Sequence, residues 1–295
     1  MKGTIIMPDN SAGRRRLPDW AKKRLARPER VHGMKAILRR RGLHTVCESA
    51  RCPNMGECFG KPTAAFMILG DVCTRGCGFC SIDKTNAPSL PDVDEPFNIA
   101  LTAKEMGLTH VVVTSVTRDD LADGGAHQFA MTIRALRDQI PAATIEVLTP
   151  DFKGDKSALT IVLDAKPDIF NHNVETVERL YPIVRPEADY HGSLTVLRSA
   201  KATGVMTKSG IMVGLGETPE EVKKTLGALK DALCDAVTIG QYLQPTRLNL
   251  PVVEYVRPEV FEKYEAYGRS IGLKRVYSGT FVRSSYNAER LAAGV

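Results

Sequence analysis

From residue 64 onward, short apolar runs alternate along the chain with longer amphipathic stretches. The short runs are rich in valine and isoleucine, which is typical of buried strands. The longer stretches carry apolar residues at helical spacing, and several end at a glycine or a proline. The pattern predicts strands at 64–69, 110–115, 144–149, 168–172 and 236–240, and one that ends at 211–213. It predicts helices at 31–41, 98–106, 126–140, 156–165, 194–203 and 258–271, and one after a capping box at 218–221.

Strands separated by helices of this length require right-handed crossovers into a parallel sheet. About six such units predict an α/β fold, either a partial barrel related to the (β/α)8 barrel or a doubly wound open sheet. The periodicity is the same in both, so it leaves the choice between them open.

The chain has 295 residues, of which 43% are hydrophobic, and this is ample for a buried core. No run is long and apolar enough to span a bilayer, and the first residues do not have the pattern of a signal peptide. We therefore expect a soluble, cytoplasmic protein with no membrane partner.

A basic arm within residues 1–30 contributes much of the formal net charge of +6. Such a run is usually a solvated segment, and without interleaved aromatic residues it argues against nucleic acid as a partner. Trp20, the single tryptophan, is expected to pin this arm to the body of the protein. The basic residues of the arm are Arg14, Arg15, Arg16, Lys22, Lys23 and Arg24.

Three cysteines, Cys73, Cys77 and Cys80, are spaced by three and then two residues. Thiolates this close together usually share a metal centre, and three ligands for a four-iron cube leave one iron open to a small molecule. A zinc loop completed by a distant residue would give the same spacing, as would three cysteines buried as small apolar residues.

A second triad, Cys47, Cys52 and Cys58, lies just upstream with spacings of four and five residues. Six of the seven cysteines thus fall into two groups, which favours metal centres and a reducing compartment over a disulfide framework. Pro53 and Gly56 interrupt the second group, so its shape is expected to depend on metal ligation more than on regular structure. The seventh cysteine, Cys234, is predicted to be a small core residue.

Polar segments follow several predicted strands, which is where parallel-sheet enzymes place their chemistry. Segment 115–120 follows the second strand, and its turn-forming residues would also suit the cap of the next helix. After the fourth strand, Asn171 and Asn173 offer amides that suit a ribose or an amino-acid group, although the same residues would cap a helix beginning at Val174.

Two further segments complete the rim of the predicted sheet. Gly214 and Gly216 follow the fifth strand and would let the backbone approach a ligand closely. No third glycine completes a dinucleotide-binding fingerprint there. Segment 241–245 follows the sixth strand and suits either a cavity wall or a plain barrel rim.

The first cysteine triad, with Phe79 before its last cysteine, resembles the motif of the radical S-adenosylmethionine superfamily. The second triad and the C-terminal segment Arg283-Ser284-Ser285-Tyr286 narrow the resemblance to the lipoyl synthase family. The resemblance extends from about Arg39 to the end of the chain. It favours a partial (β/α)6 barrel at 63–275, an N-terminal extension at 1–62 that carries the arm and the second triad, and a C-terminal extension at 276–295.

The resemblance also implies two 4Fe-4S clusters and S-adenosylmethionine as cofactors, with no catalytic residues beyond the cluster ligands. The first triad would hold the cluster whose open iron binds the amino and carboxylate groups of S-adenosylmethionine. The second triad would hold the other cluster, capped by Ser285, with Ser284 as the alternative. The residues expected to contact S-adenosylmethionine are Thr117, Arg118, Asp119, Asn171, Asn173, Glu175, Gly214 and Gly216.

Enzymes of the lipoyl synthase family insert sulfur at C6 and C8 of an octanoyl chain that is amide-linked to a lysine of a carrier domain. The second cluster supplies the sulfur. The expected partners are therefore octanoylated lipoyl carrier domains, namely those of 2-oxoacid dehydrogenase acyltransferase subunits and the glycine cleavage H protein. A reductant protein such as ferredoxin or flavodoxin is also expected.

Two other functions fit part of the pattern. A methylthio-transferase that acts on transfer RNA also has two clusters, but it would need an added RNA-binding domain, for which little sequence remains after the last predicted helix. An electron carrier or iron-sulfur scaffold would need the cysteines, but it would not need six strand-and-helix units around a pocket.

Overall fold

The structure, a computed structural model, describes residues 16–23, 28–59, 64–85 and 87–289. Arg14, Arg15 and Arg24 of the predicted basic arm lie outside the described residues, and so does the predicted boundary between residues 62 and 63.

Parallel strands and helices alternate along most of the described chain. The strands are β1 His44–Thr45, β2 Ala64–Ile68, β3 Val72–Cys73, β4 Asp83–Lys84, β5 His110–Ser115, β6 Thr144–Leu148, β7 Ile169–Asn171, β8 Met206–Val213, β9 Ala236–Gln241 and β10 Arg275–Gly279. The helices are α1 Pro28–Arg40, α2 Val46–Ser49, α3 Met55–Cys58, α4 Glu95–Glu105, α5 Ala126–Gln139, α6 Lys156–Asp164, α7 Tyr181–Val184, α8 Tyr190–Ala202, α9 Pro219–Asp231 and α10 Pro258–Ser270.

The strand order identifies the architecture. The main sheet has eight strands in the order β1-β2-β5-β6-β7-β8-β9-β10, and all neighbours are parallel except β1, which is antiparallel to β2. A doubly wound sheet would reverse its order at a switch point, whereas this order follows the chain without reversal. Right-handed crossovers in one direction place the helices on one side, as in a barrel. Within the described residues β1 and β10 do not pair, so the barrel is partial.

Alternate residues along each strand face opposite sides of the sheet. On β5, Val111 and Val113 are buried against the helices, whereas His110 and Val112 line the interior of the barrel. The outer layer is apolar because α5 presents Phe129, Ile133 and Leu136, all fully buried. Each such side chain stabilises the fold by about 1.5–3 kcal/mol relative to exposure.

The six predicted strands and the predicted helices between them are confirmed, within a few residues at their ends. The capping box is confirmed as well: Glu221 N–H donates to Thr218 Oγ1 at 3.3 Å, and Thr218 N–H donates to Glu221 Oε2 at 2.8 Å. The Trp20 ring lies 5.8 Å from the Arg257 guanidinium but is 40% exposed, so its role in pinning the arm stays a prediction. Within the described residues, every helix is too short or too polar to cross a membrane.

Four features differ from the predictions. β10 adds a seventh parallel strand that begins at Arg275 and runs into the predicted C-terminal extension, and β1 adds an antiparallel edge. The loop of the second triad contains two single-turn helices, α2 and α3, so it is more regular than expected. The helix considered at Val174 is absent: the next residue, Glu175, forms a parallel bridge to Ile211 instead.

Candidate active site

A cavity of about 380 Å³ occupies the interior of the partial barrel. Its wall includes Ala64 and His110, which begin their strands, and Asn173 and Tyr242, which lie beyond the ends of β7 and β9. The cavity therefore runs the length of the barrel. Cysteines of both triads line it together with both serines of the C-terminal motif, namely Cys47, Cys52, Cys58, Cys80, Ser284 and Ser285.

A buried guanidinium anchors the loop of the first triad. Arg75 donates to both carboxylate oxygens of Asp119, at 2.7 and 2.9 Å, and to both of Asp151, at 2.7 and 2.9 Å. Burial opposes the charge of Asp151, but the hydrogen bonds and charge of Arg75 outweigh burial and lower the pKa of Asp151 to about 2. Because Asp119 follows β5 and Asp151 follows β6, Arg75 ties the triad loop to the ends of two strands.

Main-chain groups fix the first cysteine of this triad. The N–H groups of Arg75 and Thr117 donate to Cys73 Sγ at 3.4 and 3.3 Å. Thr74 N–H donates to Thr117 O at 3.0 Å, and Thr74 Oγ1 accepts from Asp119 N–H at 3.0 Å. These bonds fix the position of the Cys73 sulfur beside the loop that follows β5.

The other end of the triad loop is held from the opposite side of the barrel. Gly78 N–H donates to Val184 O at 3.0 Å, and Gly78 O accepts from Leu250 N–H at 2.9 Å. Asn249 Nδ2 donates to Cys80 O at 2.8 Å. A Cβ atom at Gly78 would lie 2.8 Å from the Leu250 side chain, so this close packing requires glycine.

The donor set fits an iron-sulfur cube. All six clustered cysteines are reduced, and none forms a disulfide with a described residue. Burial raises the pKa of Cys77, and it raises the pKa of Cys80 to about 11, so these groups need a bound cation to become thiolates. No three cysteine, histidine or carboxylate side chains within the described ranges converge closely enough to hold one metal ion. In a cube, each of the three cysteine ligands would bind a different iron.

The second triad is carried by the two single-turn helices. Cys47 lies on α2 and is buried, and Cys58 ends α3. Cys52 lies between them, and its N–H donates to Cys47 O at 3.1 Å. All three line the same wall of the cavity.

The C-terminal segment closes the cavity beside the second triad. Ser284 Oγ donates to Asn173 Oδ1 at 2.8 Å. Ser285 makes no side-chain hydrogen bond to any described residue, and it lines the cavity with the cysteines. The segment passes directly over β9, where a Cβ atom at Gly240 would collide with Val282 O. Within the described residues, the Ser284 hydroxyl thus has a hydrogen-bond partner and the Ser285 hydroxyl has none, and the choice of ligand between them stays a prediction.

Glu175, which lies a few residues beyond the end of β7, has an unfavourable backbone conformation. Glu175 has φ of 70°, which is unfavourable for a residue with a side chain and typical of functional sites. It is held there by backbone bonds to Gly210 and Met212, and Asn173 Nδ2 donates to its Oε1 at 3.0 Å. Burial raises the pKa of Glu175, and the charge of Arg185 only partly offsets that effect.

Comparison with known proteins identifies the family. Residues 67–229 match the sequence model of the radical SAM superfamily, and residues 2–52 match that of the N-terminal domain of lipoyl synthase. Lipoyl synthase of Rubrobacter xylanophilus is 53% identical over 278 residues, covering 94% of this chain and 86% of the relative. Lipoyl synthase of Caldicellulosiruptor bescii is 54% identical over 274 residues, covering 92% and 94%. The chain belongs to the lipoyl synthase family.

Solved structures agree with the fold. SuiB of Streptococcus suis, bound to S-adenosylmethionine, has a TM-score of 0.56 at 12% identity, over 76% of this chain and 54% of SuiB. HydG, a maturase of FeFe-hydrogenase, has a TM-score of 0.56 at 15% identity, over 76% of this chain and 57% of HydG. The chain thus spans about half the length of these proteins. At such identities the likeness shows the fold alone, the partial barrel of radical SAM enzymes. Membership in that superfamily implies a 4Fe-4S cluster and S-adenosylmethionine.

Within this lipoyl synthase fold, several residues expected to contact S-adenosylmethionine lie outside the cavity wall. Arg118 is 1% exposed and pairs with Asp120 at 2.8 Å, and Asp119 pairs with Arg75. The Asp119 pair braces the first-triad loop, whereas Arg118 bonds Asp120 and the carbonyl of Leu69. Asn173 and Glu175 do line the cavity, as do residues 242–245. The role of Thr117, Arg118 and Asp119 as cofactor contacts stays a prediction.

The two glycines after β8 adopt the conformations expected of them. Gly214 and Gly216 have φ of 99° and 107°. However, Gly214 packs against Gln241 and the carbonyl of Glu254, and a Cβ atom at Gly216 would lie 3.7 Å from the Val253 side chain. Their close backbone approach is thus to neighbouring loops of the protein, and contact with the cofactor stays a prediction.

A buried polar cluster lies beneath the cavity. Glu146 accepts from Lys208 at 2.9 and 3.1 Å, from Asn171 at 3.0 Å, and lies 3.3 Å from His110 Nε2. Burial opposes the charge of Glu146, but Lys208 and His110 together outweigh burial and lower its pKa to about 2. Asn171, one of the expected cofactor contacts, belongs to this cluster, although its Oδ1 is buried without a partner among the described residues.

Sequence reasoning missed the residues that hold the loops in place. Arg75 lies inside the first motif and Asn54 inside the second, but neither position has a local pattern that indicates its distant partners. Arg185 donates to Asn173 O at 2.9 Å and was likewise not singled out. Cys234 is buried, and its thiol donates to Ala236 O at 3.2 Å, which confirms the expected core role.

Proposed function

We propose that the protein inserts sulfur at C6 and C8 of an octanoyl chain that is amide-linked to a lysine of a carrier domain. The observation that carries this proposal is the shared cavity, which is lined by cysteines of both triads and by Ser285. A single electron-transfer centre would need only one triad, whereas sulfur insertion needs a radical source and a sulfur source that face the same substrate carbon.

The first triad would hold a 4Fe-4S cluster through the thiolates of Cys73, Cys77 and Cys80. With S-adenosylmethionine bound and one electron supplied, this cofactor pair provides a deoxyadenosyl radical that abstracts hydrogen from unactivated carbon. The chain's part is to keep the triad loop rigid through Arg75 and Asn249. Asn173 and Glu175 offer an amide and a carboxylate at the cavity wall that suit the amino and hydroxyl groups of S-adenosylmethionine.

The second triad would hold the sulfur donor, which is consumed as a substrate. Cys47, Cys52 and Cys58 supply three thiolates, and Ser285 supplies a hard oxygen ligand that binds iron more weakly than a thiolate does. A weak fourth ligand suits a cluster that must open to release sulfur. The hydrogen bond of Ser284 to Asn173 holds the neighbouring residue in place.

The cavity between the triads suits an alkyl chain. Its wall includes apolar side chains from several strands and from the C-terminal segment, namely Val112, Leu148, Ile211, Met212 and Val282. Apolar lining with a few placed polar groups is the usual character of a small-molecule site, and it excludes water from a reactive centre.

The proposed partners follow from this chemistry. An octanoyl-lysine on a carrier domain must reach the cavity from outside, so we expect carrier domains of 2-oxoacid dehydrogenases and the glycine cleavage H protein as substrates. A ferredoxin or flavodoxin would supply the electron.

The test is mass spectrometry of an octanoyl-lysyl peptide incubated anaerobically with the reconstituted protein, S-adenosylmethionine and dithionite. We expect about eight irons per chain, in line with two cubes, and addition of two sulfur atoms to the peptide. Cleavage of S-adenosylmethionine without sulfur insertion would contradict the proposed substrate, and about four irons would contradict the second cluster.

A further inference from the structure

Two segments separated by more than two hundred residues are joined next to the second triad. Asn54, within the triad loop, donates through Nδ2 to Phe281 O at 2.7 Å and is 1% exposed. Tyr286 OH lies 3.0 and 3.1 Å from the two carboxylate oxygens of Glu57, to which it donates. Glu57 immediately precedes Cys58, and Tyr286 immediately follows Ser285. The bond between Glu57 and Tyr286 therefore connects the residue next to a second-triad cysteine with the residue next to the proposed fourth ligand.

A third segment meets the other two at the same point. Lys23 Nζ lies 2.7 Å from Glu57 Oε2 and donates to Asn54 Oδ1 at 2.5 Å. It also lies 4.8 Å from the ring centre of Tyr286 and 5.2 Å from that of Phe281. One ammonium thus contacts both sides of the junction, through two oxygen acceptors on the triad loop and two aromatic faces on the C-terminal segment.

The setting makes these contacts stronger than ordinary surface ones. The Lys23 side chain is 21% exposed and that of Glu57 34%, so solvent screens them only partly. Cation–π contacts gain strength when the cation is partly desolvated. The adjacent lysine shows the contrast, because Lys22 is 57% exposed and its one ion pair within the described part of the chain is with Asp19, which is 94% exposed.

We propose that Lys23, Glu57 and Tyr286 are positioning residues that form a clasp, which holds Ser285 at the second triad. The proposal rests on the proposed function in one respect, the role of Ser285 as a cluster ligand. The clasp joins the second-triad loop, which would supply three thiolates, to the C-terminal segment, which would supply the weaker serine ligand. It keeps the serine close while allowing the iron–oxygen bond to break, because the segment is held by Lys23, Glu57 and Asn54 and not by the serine.

Hydrogen exchange of residues 280–289 in the full chain tests the clasp. We expect Lys23→Met to raise amide exchange there about tenfold, the effect of losing one partly desolvated ion pair and its cation–π contacts. Lys22→Met, the matched control, should leave exchange unchanged, and Lys23→Arg should restore protection because it keeps the charge. Equal exchange in Lys23→Met and Lys22→Met would overturn the proposal. Because this readout needs no cluster and no turnover, it stays informative if sulfur insertion itself is not observed.

Cluster retention tests the positioning role. In a chain with Cys73, Cys77 and Cys80 all replaced by alanine, the bound iron belongs to the second triad. We expect Lys23→Met in that background to lose iron to a chelator about tenfold faster than Lys22→Met, within the range seen when groups that orient metal ligands are removed. Unchanged iron loss alongside raised exchange would show that the clasp orders the segment without positioning a ligand, and it would overturn the proposal.

Discussion

The two triads are held by different kinds of structure. The first lies in a loop whose own buried Arg75 guanidinium pairs with carboxylates that follow β5 and β6, and which is also held by the N–H of Thr117 and the amide of Asn249. The second lies in two single-turn helices, and it is joined to the C-terminal segment by the buried amide of Asn54 and by the partly exposed side chains of Lys23 and Glu57. A permanent cofactor site benefits from rigid supports, whereas a cluster that is consumed needs supports that can separate and re-form.

The largest expected effect is at Arg75. Arg75→Met leaves Asp119 and Asp151 buried without their partner, so we expect the free energy of unfolding to fall by roughly 3–5 kcal/mol. The measurement is guanidinium chloride unfolding of the cluster-free protein under anaerobic conditions. Arg269→Met is the control, because it breaks an exposed helical pair with Glu265 and should cost about 0.3–0.5 kcal/mol. Equal losses for the two variants would contradict the rigid bracing of the first triad.

The next effect is the pH dependence of the free energy of unfolding that is due to the buried His172. Burial first, and then the charge of Arg185, lower the pKa of His172 from 6.5 to about 4. The unfolded chain therefore binds a proton in this range that the folded chain does not bind. As pH falls from 6.5 to 4, the folded state should lose about 3 kcal/mol of stability on this account.

His172→Gln should remove this pH dependence. The difference in free energy of unfolding between variant and wild type should therefore change by about 3 kcal/mol between pH 6.5 and pH 4. Urea unfolding at pH 6.5 and at pH 4 measures it. His191→Gln changes a histidine whose side chain is 72% exposed, and it should keep the wild-type slope. Parallel slopes for wild type and His172→Gln would contradict a buried, neutral His172.

The third effect is on activity, and it shows which of Ser284 and Ser285 is the cluster ligand. Ser285→Ala should lower sulfur insertion by at least about 100-fold, the upper range for loss of groups that support a metal site. Its free energy of unfolding should stay within about 0.5 kcal/mol of wild type, because the hydroxyl makes no bond to the described residues. Ser284→Ala loses the bond to Asn173 and should retain most of the activity. The reverse ranking would make Ser284 the ligand.

Much of the barrel was predictable because apolar periodicity reports burial directly. Val111, Val113, Ile145 and Val147 are apolar because they pack against helices, and the local pattern is enough to locate their strands. Strand β10 was missed because Arg275–Gly279 buries only Val276 and so has no continuous apolar run.

The cysteine ligands of the candidate site could be predicted from the sequence, but the residues that hold their loops in place could not. The cysteines are recognisable from their spacing, because a cube imposes close ligands along the chain. The partners of Arg75 lie 44 and 76 residues away, and Tyr286 lies 229 residues from Glu57. Such contacts depend on the closed fold, and no local pattern in the sequence encodes them.

The most direct test of the account is to remove the second triad alone. The variant with Cys47, Cys52 and Cys58 replaced by alanine should bind about four irons and still cleave S-adenosylmethionine under reduction, because the first triad is braced independently. The octanoyl-lysyl peptide should gain no sulfur, as measured by mass spectrometry against wild type. Sulfur insertion by this variant would contradict the division of roles between the two triads.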